Sequence, residues 1–201
     1  MITFVSENGV AGYFHQPDQP SGAGLVITHG AGGNAKAPLL VAVAEAYCAA
    51  GAWVLRCDLA FRQRGGFGPP SPATAAADRA SLVAALIAIR RKASGPIALG
   101  GHSYGGRQAS MLAAEQPRVA DSLLLLSYPL HPPDKPAQLR TAHFPALRTP
   151  AVFVHGTKDP FGSIEEMRAA LALIPAPARL VIIEGAGHDL KRGKFDLGAL
   201  L

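Results

Sequence analysis

The stretch "IALGGHSYGGRQASMLAAE", residues 97–115, passes from a short apolar segment through four glycines around Ser103 into an alanine-rich segment typical of a helix. Glycine permits backbone conformations and close approaches that a side chain would block. Residues 101–105 fit the pattern G-x-S-x-G, in which a strained strand-to-helix turn exposes a serine hydroxyl. The alternative is an accidental tight turn. An apolar strand directly before the pattern and a helix directly after it favour the nucleophile turn.

Composition predicts an ordered globular protein. The chain has 201 residues, 49% hydrophobic and 16% charged, which suffices for one domain over residues 1–201 with a sizeable core. No apolar run is long enough to span a bilayer, and residues 1–12 lack the basic start and apolar stretch of a signal peptide. We therefore expect a cytoplasmic protein without a membrane partner, and either a monomer or a homodimer.

The net charge of +5 does not predict a nucleic-acid partner, because Lys and Arg are spread along the chain. The local clusters at 90–92 and 191–194 fit a solvated surface, and cations also favour a helix end. Cys48 and Cys57 indicate small buried residues rather than a disulfide. Without a Cys-x-x-Cys motif or a histidine pair at ligand spacing, we expect no metal site.

Apolar segments alternate with helical segments along most of the chain. Apolar runs without alternation indicate strands buried on both faces, and helices between them supply the crossovers of a parallel sheet. The sequence therefore predicts an α/β fold with a mostly parallel, doubly wound sheet. The connectors 59–72 and 129–150 are too short for a cap domain, so an open site is expected. Strands are expected at 2–6, 12–15, 23–30, 52–58, 96–101, 121–128, 150–156 and 178–185, and helices near 38–50, 73–93, 107–116 and 163–173.

Asp159 and His188 are the candidates to activate Ser103. A serine hydroxyl is a poor nucleophile until a base takes its proton, and the base needs a third group to orient it. Asp159 follows the strand-like segment 150–156 and His188 follows 178–185, so both lie where a parallel sheet gathers its ligands. The order Ser, Asp, His is that of α/β-hydrolases. Asp189 is the alternative acid, but a sequence neighbour of the base rarely reaches the far nitrogen of its ring.

Backbone amides near Ser103 are the candidates for an oxyanion hole. The amide of Tyr104 follows the nucleophile directly, and the loop "THGAGGN" at 28–34 follows an earlier strand that supplies the second donor in such enzymes. Ala31 is our choice for that donor. His29 in the same loop is interpreted as a residue that orders the loop rather than as a base.

The same loop supports a dinucleotide-binding, Rossmann-like alternative. Residues 30–35 fit G-x-G-x-x-G/A between a strand and a helix, and Asp58 ends the next strand. Under this alternative, the chain of 201 residues has no room for a separate substrate domain. The alternative also makes the placement of Ser103, Asp159 and His188 a coincidence, so we favour the hydrolase.

Five segments, "HGAGGN", "GHSYGGR", "YPLHPP", "LRTAHFPALRTPAVFVHGTKDPFGS" and "GAGHDL", together resemble the small lidless α/β-hydrolases similar to dienelactone hydrolase and the testis-expressed hydrolase-like proteins. The resemblance covers nearly the whole chain and implies a Ser-Asp-His hydrolase with Ser103, Asp159 and His188. The dienelactone hydrolase family uses a cysteine nucleophile, so lactone specificity is not transferred. Some testis-expressed relatives act as complex subunits, which leaves a non-catalytic binding role open.

Substrate contacts are the least determined part of the sequence. Arg107 either binds an anionic substrate or pairs with a buried carboxylate such as Asp58; we favour the pairing, because an arginine near a helix start needs a partner. His29 and Phe61 are further candidates, and Arg140 and His143 are weaker ones. The sequence thus predicts a cofactor-independent serine hydrolase acting on small carboxylic esters or thioesters through an acyl-enzyme.

Overall fold

The computed structural model describes residues 1–65 and 70–191. Eight strands form one sheet, in the order β1-β2-β4-β3-β5-β6-β7-β8. Strand β2 runs antiparallel to both of its neighbours, and all pairs from β4 to β8 are parallel. The predicted α/β fold with a mostly parallel sheet is confirmed. The strands are β1 (Ile2–Glu7), β2 (Val10–His15), β3 (Gly24–Thr28), β4 (Trp53–Cys57), β5 (Ile97–His102), β6 (Ser122–Leu126), β7 (Ala151–Gly156) and β8 (Ala178–Ile183).

The helices connect the parallel strands, as the alternating sequence pattern predicts. Pro38 opens the first helix, where its missing N–H costs no hydrogen bond. Ser163 and Glu166 form a reciprocal capping box at the start of the last one. Within the described ranges, no helix is long and apolar enough to cross a membrane. The helices are α1 (Pro38–Ala49), α2 (Ala60–Gln63), α3 (Ala75–Arg90), α4 (Tyr104–Glu115) and α5 (Ile164–Leu171), with 3-10 turns at Pro72–Thr74 and Phe144–Ala146.

Two apolar clusters cover the two faces of the sheet. Successive side chains of a strand point to opposite faces, so Leu25 and Ile27 pack on the α1 side while Val26 packs on the side of α3, α4 and α5. All five residues of β3 are buried, which explains why its sequence shows no polar alternation. The doubly wound architecture therefore follows from central strands that are apolar on both faces.

The winding of the sheet reverses around β3. The chain moves from β3 to β4 on one side, then crosses back through α3 to β5 on the other side. Such a reversal opens a crevice at the carboxyl ends of the strands. The loops after β3, β5, β7 and β8 meet at this edge and carry Ser103, Asp159, His188 and the predicted oxyanion donors. In the described part of the chain, no segment between strands forms a separate cap.

Candidate active site

Ser103 occupies a strained turn between the end of β5 and the start of α4. Its backbone has φ 51° and ψ −117°, a conformation that costs a non-glycine residue about 1–3 kcal/mol. The turn is held by hydrogen bonds from the Ser103 N–H to the Leu126 carbonyl at 2.8 Å and from the Arg107 N–H to the Ser103 carbonyl at 3.0 Å. A Cβ on Gly101 would lie 2.6 Å from the Gly105 carbonyl carbon. Glycine at that position therefore permits the tight turn.

Three side chains from three loops form one chain of hydrogen bonds. The Ser103 hydroxyl lies 2.8 Å from Nε2 of His188. Nδ1 of His188 lies 2.8 Å and 3.0 Å from the two carboxylate oxygens of Asp159. Because a carboxylate only accepts, Nδ1 carries the proton and Nε2 is free to accept from the serine. The structure thus brings together the three residues selected from the sequence, with the protonation pattern that a general base requires.

Asp159 is oriented by its own loop. Its side chain is fully buried, while that of His188 is 23% exposed. One carboxylate oxygen accepts the N–H of Phe161 at 2.9 Å, and Nδ1 of the buried His155 lies 3.8 Å from the other. Burial and these partners hold the carboxylate toward His188.

Asp189, the alternative acid, has Lys191 as its partner and not the imidazole. It is exposed and bonds to the backbone N–H and the ammonium of Lys191, at 3.2 Å and 3.4 Å. The backbone hydrogen bond from Lys191 is the main reason that the pKa of Asp189 lies below its usual value. The geometry therefore favours Asp159 as the partner of His188.

Two residues that sequence reasoning missed position His188. The ring of Phe161 packs against the imidazole at 4.2 Å between centroids. Nε2 of His102 lies 2.8 Å from the His188 carbonyl oxygen and donates to it; burial lowers the pKa of His102, so this ring is neutral near pH 7. Phe161 follows Asp159-Pro160 in the sequence, and His102 directly precedes Ser103. This proximity to candidate residues is the signal that could have identified them.

Ala31, in the loop after β3, and Tyr104, directly after Ser103, are the predicted donors to an oxyanion. Both residues line the cavity next to Ser103. Tyr104 is the first residue of α4, and amides of a first helical turn have no partner within the helix. The Ala31 carbonyl accepts a hydrogen bond from Arg62 at 2.9 Å, which fixes that side of the loop. The two residues predicted to supply oxyanion donors therefore border the same cavity as Ser103.

His29 and Phe61 do not have the position expected of substrate contacts, because both are buried behind the loop. His29 is 0% exposed; its Nδ1 lies 2.8 Å from the Gly30 carbonyl, and its Nε2 accepts the Leu59 N–H at 3.1 Å. Phe61 packs edge-on against His29 and against Tyr104. Neither lines a cavity at Ser103. His29 orders the loop, in agreement with the interpretation of its sequence position.

The expected ion pair of Arg107 with Asp58 is wrong. Asp58 closes the glycine-rich loop instead: its carboxylate accepts the Ala35 N–H at 2.6 Å and lies 3.5 Å from Nε2 of His29. Arg107 lines the cavity beside Ser103. The sequence could not distinguish these outcomes, because any nearby carboxylate satisfies the same charge argument.

Ser103 lies where two cavities meet. One, of about 380 Å³, is bounded by Leu39, Leu40 and His188, and is called here the leucine cavity. The other, of about 650 Å³, is bounded by Arg79, Arg107 and Arg140, and is called the arginine cavity. Ala31, Ser103 and Phe161 line both. A carbonyl group at Ser103 would thus have one arm in each cavity.

The dinucleotide alternative receives no support from this geometry. The parallel strands follow the order β4-β3-β5-β6-β7-β8, which differs from the 3-2-1-4-5-6 order of dinucleotide-binding domains. Asp58, which would contact a ribose, bonds to the loop itself. In the described ranges, no group of three or more His, Cys, Asp and Glu side chains is arranged to hold a metal ion.

Solved structures of low sequence identity share the fold over nearly their whole length. Dienelactone hydrolase from Anabaena variabilis has 22% identity and a TM-score of 0.75, and the match covers 100% of this chain and 93% of that one. Est1E from Butyrivibrio proteoclasticus, with ferulic acid bound, has 18% identity and a TM-score of 0.76, with 98% and 94% covered. XC6422 from Xanthomonas campestris, described as a serine hydrolase without lid, has 16% identity and a TM-score of 0.72, with 100% and 89% covered.

The sequence itself matches a family model as well. The model of the alpha/beta hydrolase domain matches residues 21–197, a range that contains every element from β3 to β8 and all the loops at the carboxyl edge. The chain therefore belongs to the alpha/beta hydrolase domain family.

Proposed function

We propose that this protein is a serine hydrolase that cleaves small carboxylic esters or thioesters through an acyl-enzyme on Ser103. The observation that carries the proposal is the chain of hydrogen bonds from Asp159 through His188 to Ser103, at distances of 2.8–3.0 Å. A buried acid, an oriented imidazole and a hydroxyl that lines a cavity are the parts that nucleophilic catalysis by serine requires.

In the first half of the reaction, the Ser103 oxygen attacks the substrate carbonyl carbon while Nε2 of His188 takes the hydroxyl proton. The tetrahedral intermediate collapses as the bond to the leaving oxygen or sulfur breaks, and the imidazolium gives its proton to that atom. The Asp159 carboxylate stabilises the transient imidazolium through Nδ1. The products are the free alcohol or thiol and an acyl group on Ser103.

In the second half, water replaces the alcohol. His188 takes a proton from the water, whose oxygen attacks the acyl carbonyl, and the imidazolium then returns a proton to the Ser103 oxygen as the carboxylic acid leaves. The amides of Ala31 and Tyr104 donate to the oxyanion in both halves. No step needs a metal ion or an organic cofactor.

The descriptions of the solved relatives support this class of reaction. One is described as a serine hydrolase without lid and another carries ferulic acid, and both are proteins with the same fold. Dienelactone hydrolase shares the fold, but its lactone substrate is not part of the proposal. A non-catalytic binding subunit with the same fold is the second candidate.

Hydrolysis of p-nitrophenyl acetate and butyrate tests the proposal. We expect the wild type to release nitrophenolate above the buffer rate and Ser103→Ala to lose on the order of 10⁴- to 10⁶-fold in kcat, as triad members act as a unit. A folded wild type that remains inactive on these esters and on a wider acyl panel would favour the binding subunit.

A further inference from the structure

The arginine cavity beside Ser103 contains more positive charge than its surroundings neutralise. Arg79 is paired: its Nε donates to Glu115 at 3.0 Å and its Nη1 donates to the Gln108 amide oxygen at 3.0 Å. In the described part of the chain, no carboxylate forms an ion pair with Arg107 or Arg140. Two guanidinium groups without a carboxylate partner therefore line the same cavity.

Arg107 also has an unsatisfied donor. Its Nε is buried without a hydrogen-bond partner among the described residues, and an unmade hydrogen bond of a buried donor is costly. The buried carboxylate of Asp78, on the neighbouring α3, is engaged by the hydroxyl of Tyr104 at 2.8 Å and the N–H of Phe61 at 2.9 Å. Among the described residues, the guanidinium of Arg107 has the Tyr128 hydroxyl as a side-chain partner, and a hydroxyl does not neutralise its charge.

The charges of Arg107 and Arg140 repel each other. Burial is the largest cause that lowers the pKa of Arg140, and the positive charge of Arg107 is the second. Burial and the same Arg107 charge lower the pKa of the neighbouring His143 to about 4, so this ring adds no charge near pH 7. An anion between Arg107 and Arg140 would relieve the repulsion and match the planar donors of a guanidinium.

The backbones of both arginines are fixed by hydrogen bonds, and Nη1 of Arg140 also donates to the Pro129 carbonyl at 3.3 Å. The N–H of Arg107 bonds to the Ser103 carbonyl at 3.0 Å in the first turn of α4, a place where the helix dipole favours an anion and disfavours an unpaired cation. The N–H of Arg140 bonds to the Leu130 carbonyl at 2.8 Å, and its carbonyl accepts from the Tyr128 hydroxyl at 2.6 Å. Both arginines thus extend from fixed backbone segments at the edge of the cavity, and both are partly buried.

The position of His188 indicates which arm of a substrate enters each cavity. The leaving oxygen or sulfur must lie near Nε2 of His188 to receive its proton. His188 lines the leucine cavity, whereas the described lining of the arginine cavity does not include it. The leaving group therefore belongs in the leucine cavity, and the acyl arm extends toward Arg107 and Arg140. The cation on the leucine side, Lys191, is already paired with Asp189.

We propose that the substrates are esters or thioesters whose acyl group ends in a carboxylate, that is, half-esters of small dicarboxylic acids, and that Arg107 and Arg140 bind this carboxylate. The proposal rests on the hydrolase function above. It adds the chemical class of the acyl group and two specificity-determining residues.

Three esters of matched size test the proposal. Monobutyl glutarate has an anionic acyl arm, butyl pentanoate has a neutral acyl arm with the same leaving group, and 4-(pentanoyloxy)butanoate has the anion on the leaving group. Hydrolysis is followed by chromatography of the released acids. We expect kcat/KM for monobutyl glutarate to exceed the other two values by about 10-fold or more, as for a charge-assisted contact.

The variants Arg107→Gln and Arg140→Gln should each lower kcat/KM for monobutyl glutarate by about 10- to 100-fold and change the value for butyl pentanoate by less than about 3-fold. Arg107→Lys keeps the charge but not the planar fork, so it should recover part of the loss. Arg118→Gln removes an equal charge from an exposed position outside the cavity and is the control. Thermal unfolding confirms that each variant is folded, and Arg140→Gln serves if Arg107→Gln does not fold.

Three results would overturn the proposal. The first is equal kcat/KM for monobutyl glutarate and butyl pentanoate, and the second is an equal loss on both esters in Arg107→Gln. The third is a preference for the ester with the anionic leaving group. If butyl pentanoate is still hydrolysed in those cases, the proposed hydrolase function is retained and only the proposed acyl specificity is rejected. No hydrolysis of any of the three esters, together with inactivity on p-nitrophenyl esters, would overturn both.

Discussion

Nε2 of His188 lies 2.8 Å from Oγ of Ser103, although 85 residues separate them in the chain. Strands β6 and β7 lie between β5, which precedes Ser103, and β8, which precedes His188, so the last loop has to return across their ends. The bond from His102 to the His188 carbonyl at 2.8 Å and the ring of Phe161 hold the loop there. The position of the loop after β8 therefore determines whether His188 can accept a proton from Ser103.

We expect the orientation of His188 to depend on Asp159 and not on Asp189. In Asp159→Asn the amide can donate to Nδ1 and stabilise the wrong tautomer, so we expect kcat on p-nitrophenyl butyrate to fall by about 10⁴-fold. Asp189→Asn removes an exposed carboxylate of the same loop and should stay within about 3-fold of the wild type. A large loss in Asp189→Asn with an active Asp159→Asn would reverse the assignment.

The amide of Ala31 is predicted to stabilise the oxyanion. Ala31→Pro removes that N–H and should lower kcat by on the order of 10²- to 10³-fold with little change in KM. Gly32→Ala is the matched control, since a Cβ there meets nothing within 4 Å and the N–H is kept. Steady-state kinetics with p-nitrophenyl butyrate provide the measurement, and an unchanged kcat in a folded Ala31→Pro variant would exclude this donor.

Short acyl chains should be preferred over long ones. The cavities at Ser103 are about 380 and 650 Å³, and the one assigned to the acyl arm contains arginines, which are a poor match for a long alkyl chain. We expect kcat/KM for p-nitrophenyl butyrate to exceed that for the decanoate. A clear preference for decanoate would contradict the open-site account.

The sequence predicts the parts of the fold with long or unambiguous apolar patterns. The helix Ala75–Arg90 falls within the predicted range 73–93, and the central strands fall within their predicted segments except that β5 extends one residue further, to His102. The short helix Ala60–Gln63 is not predicted, because it lies in a connector without apolar periodicity. The three residues of the hydrogen-bonded chain could be selected because parallel strands bring their carboxyl ends to one edge.

The sequence predicts less about which side of a loop faces the cavity. His29 and Phe61 are close in space to the serine turn but face the core, and this depends on the bond of His29 to the Leu59 amide. The partner of Arg107 is a similar case. Asp58 has the right charge, but the Ala35 amide binds it, and such a backbone contact has no signature in the sequence.

Acid should destabilise the fold through His15. Burial and the charge of Arg56 lower the pKa of His15 from 6.5 to about 4, and its Nε2 accepts from Nε of Arg56 at 2.8 Å. Between these pH values the unfolded chain binds a proton that the folded chain does not, so stability falls as pH decreases from about 6.5 to about 4. His15→Gln keeps an acceptor for Arg56 and should show a smaller decrease in the urea midpoint over this range. An identical decrease in both proteins would contradict the assignment.

Covalent labelling by a fluorophosphonate tests the central claim most directly, because the probe reacts with an activated serine whatever the natural substrate is. Intact mass should show one added group on the wild type, and peptide mapping should place it on Ser103. Ser103→Ala should not be labelled, and His188→Ala should be labelled far more slowly, while Asp189→Asn should react like the wild type. A folded wild type that resists millimolar probe, or a Ser103→Ala variant that is labelled equally well, would contradict the assignment of Ser103 as the nucleophile.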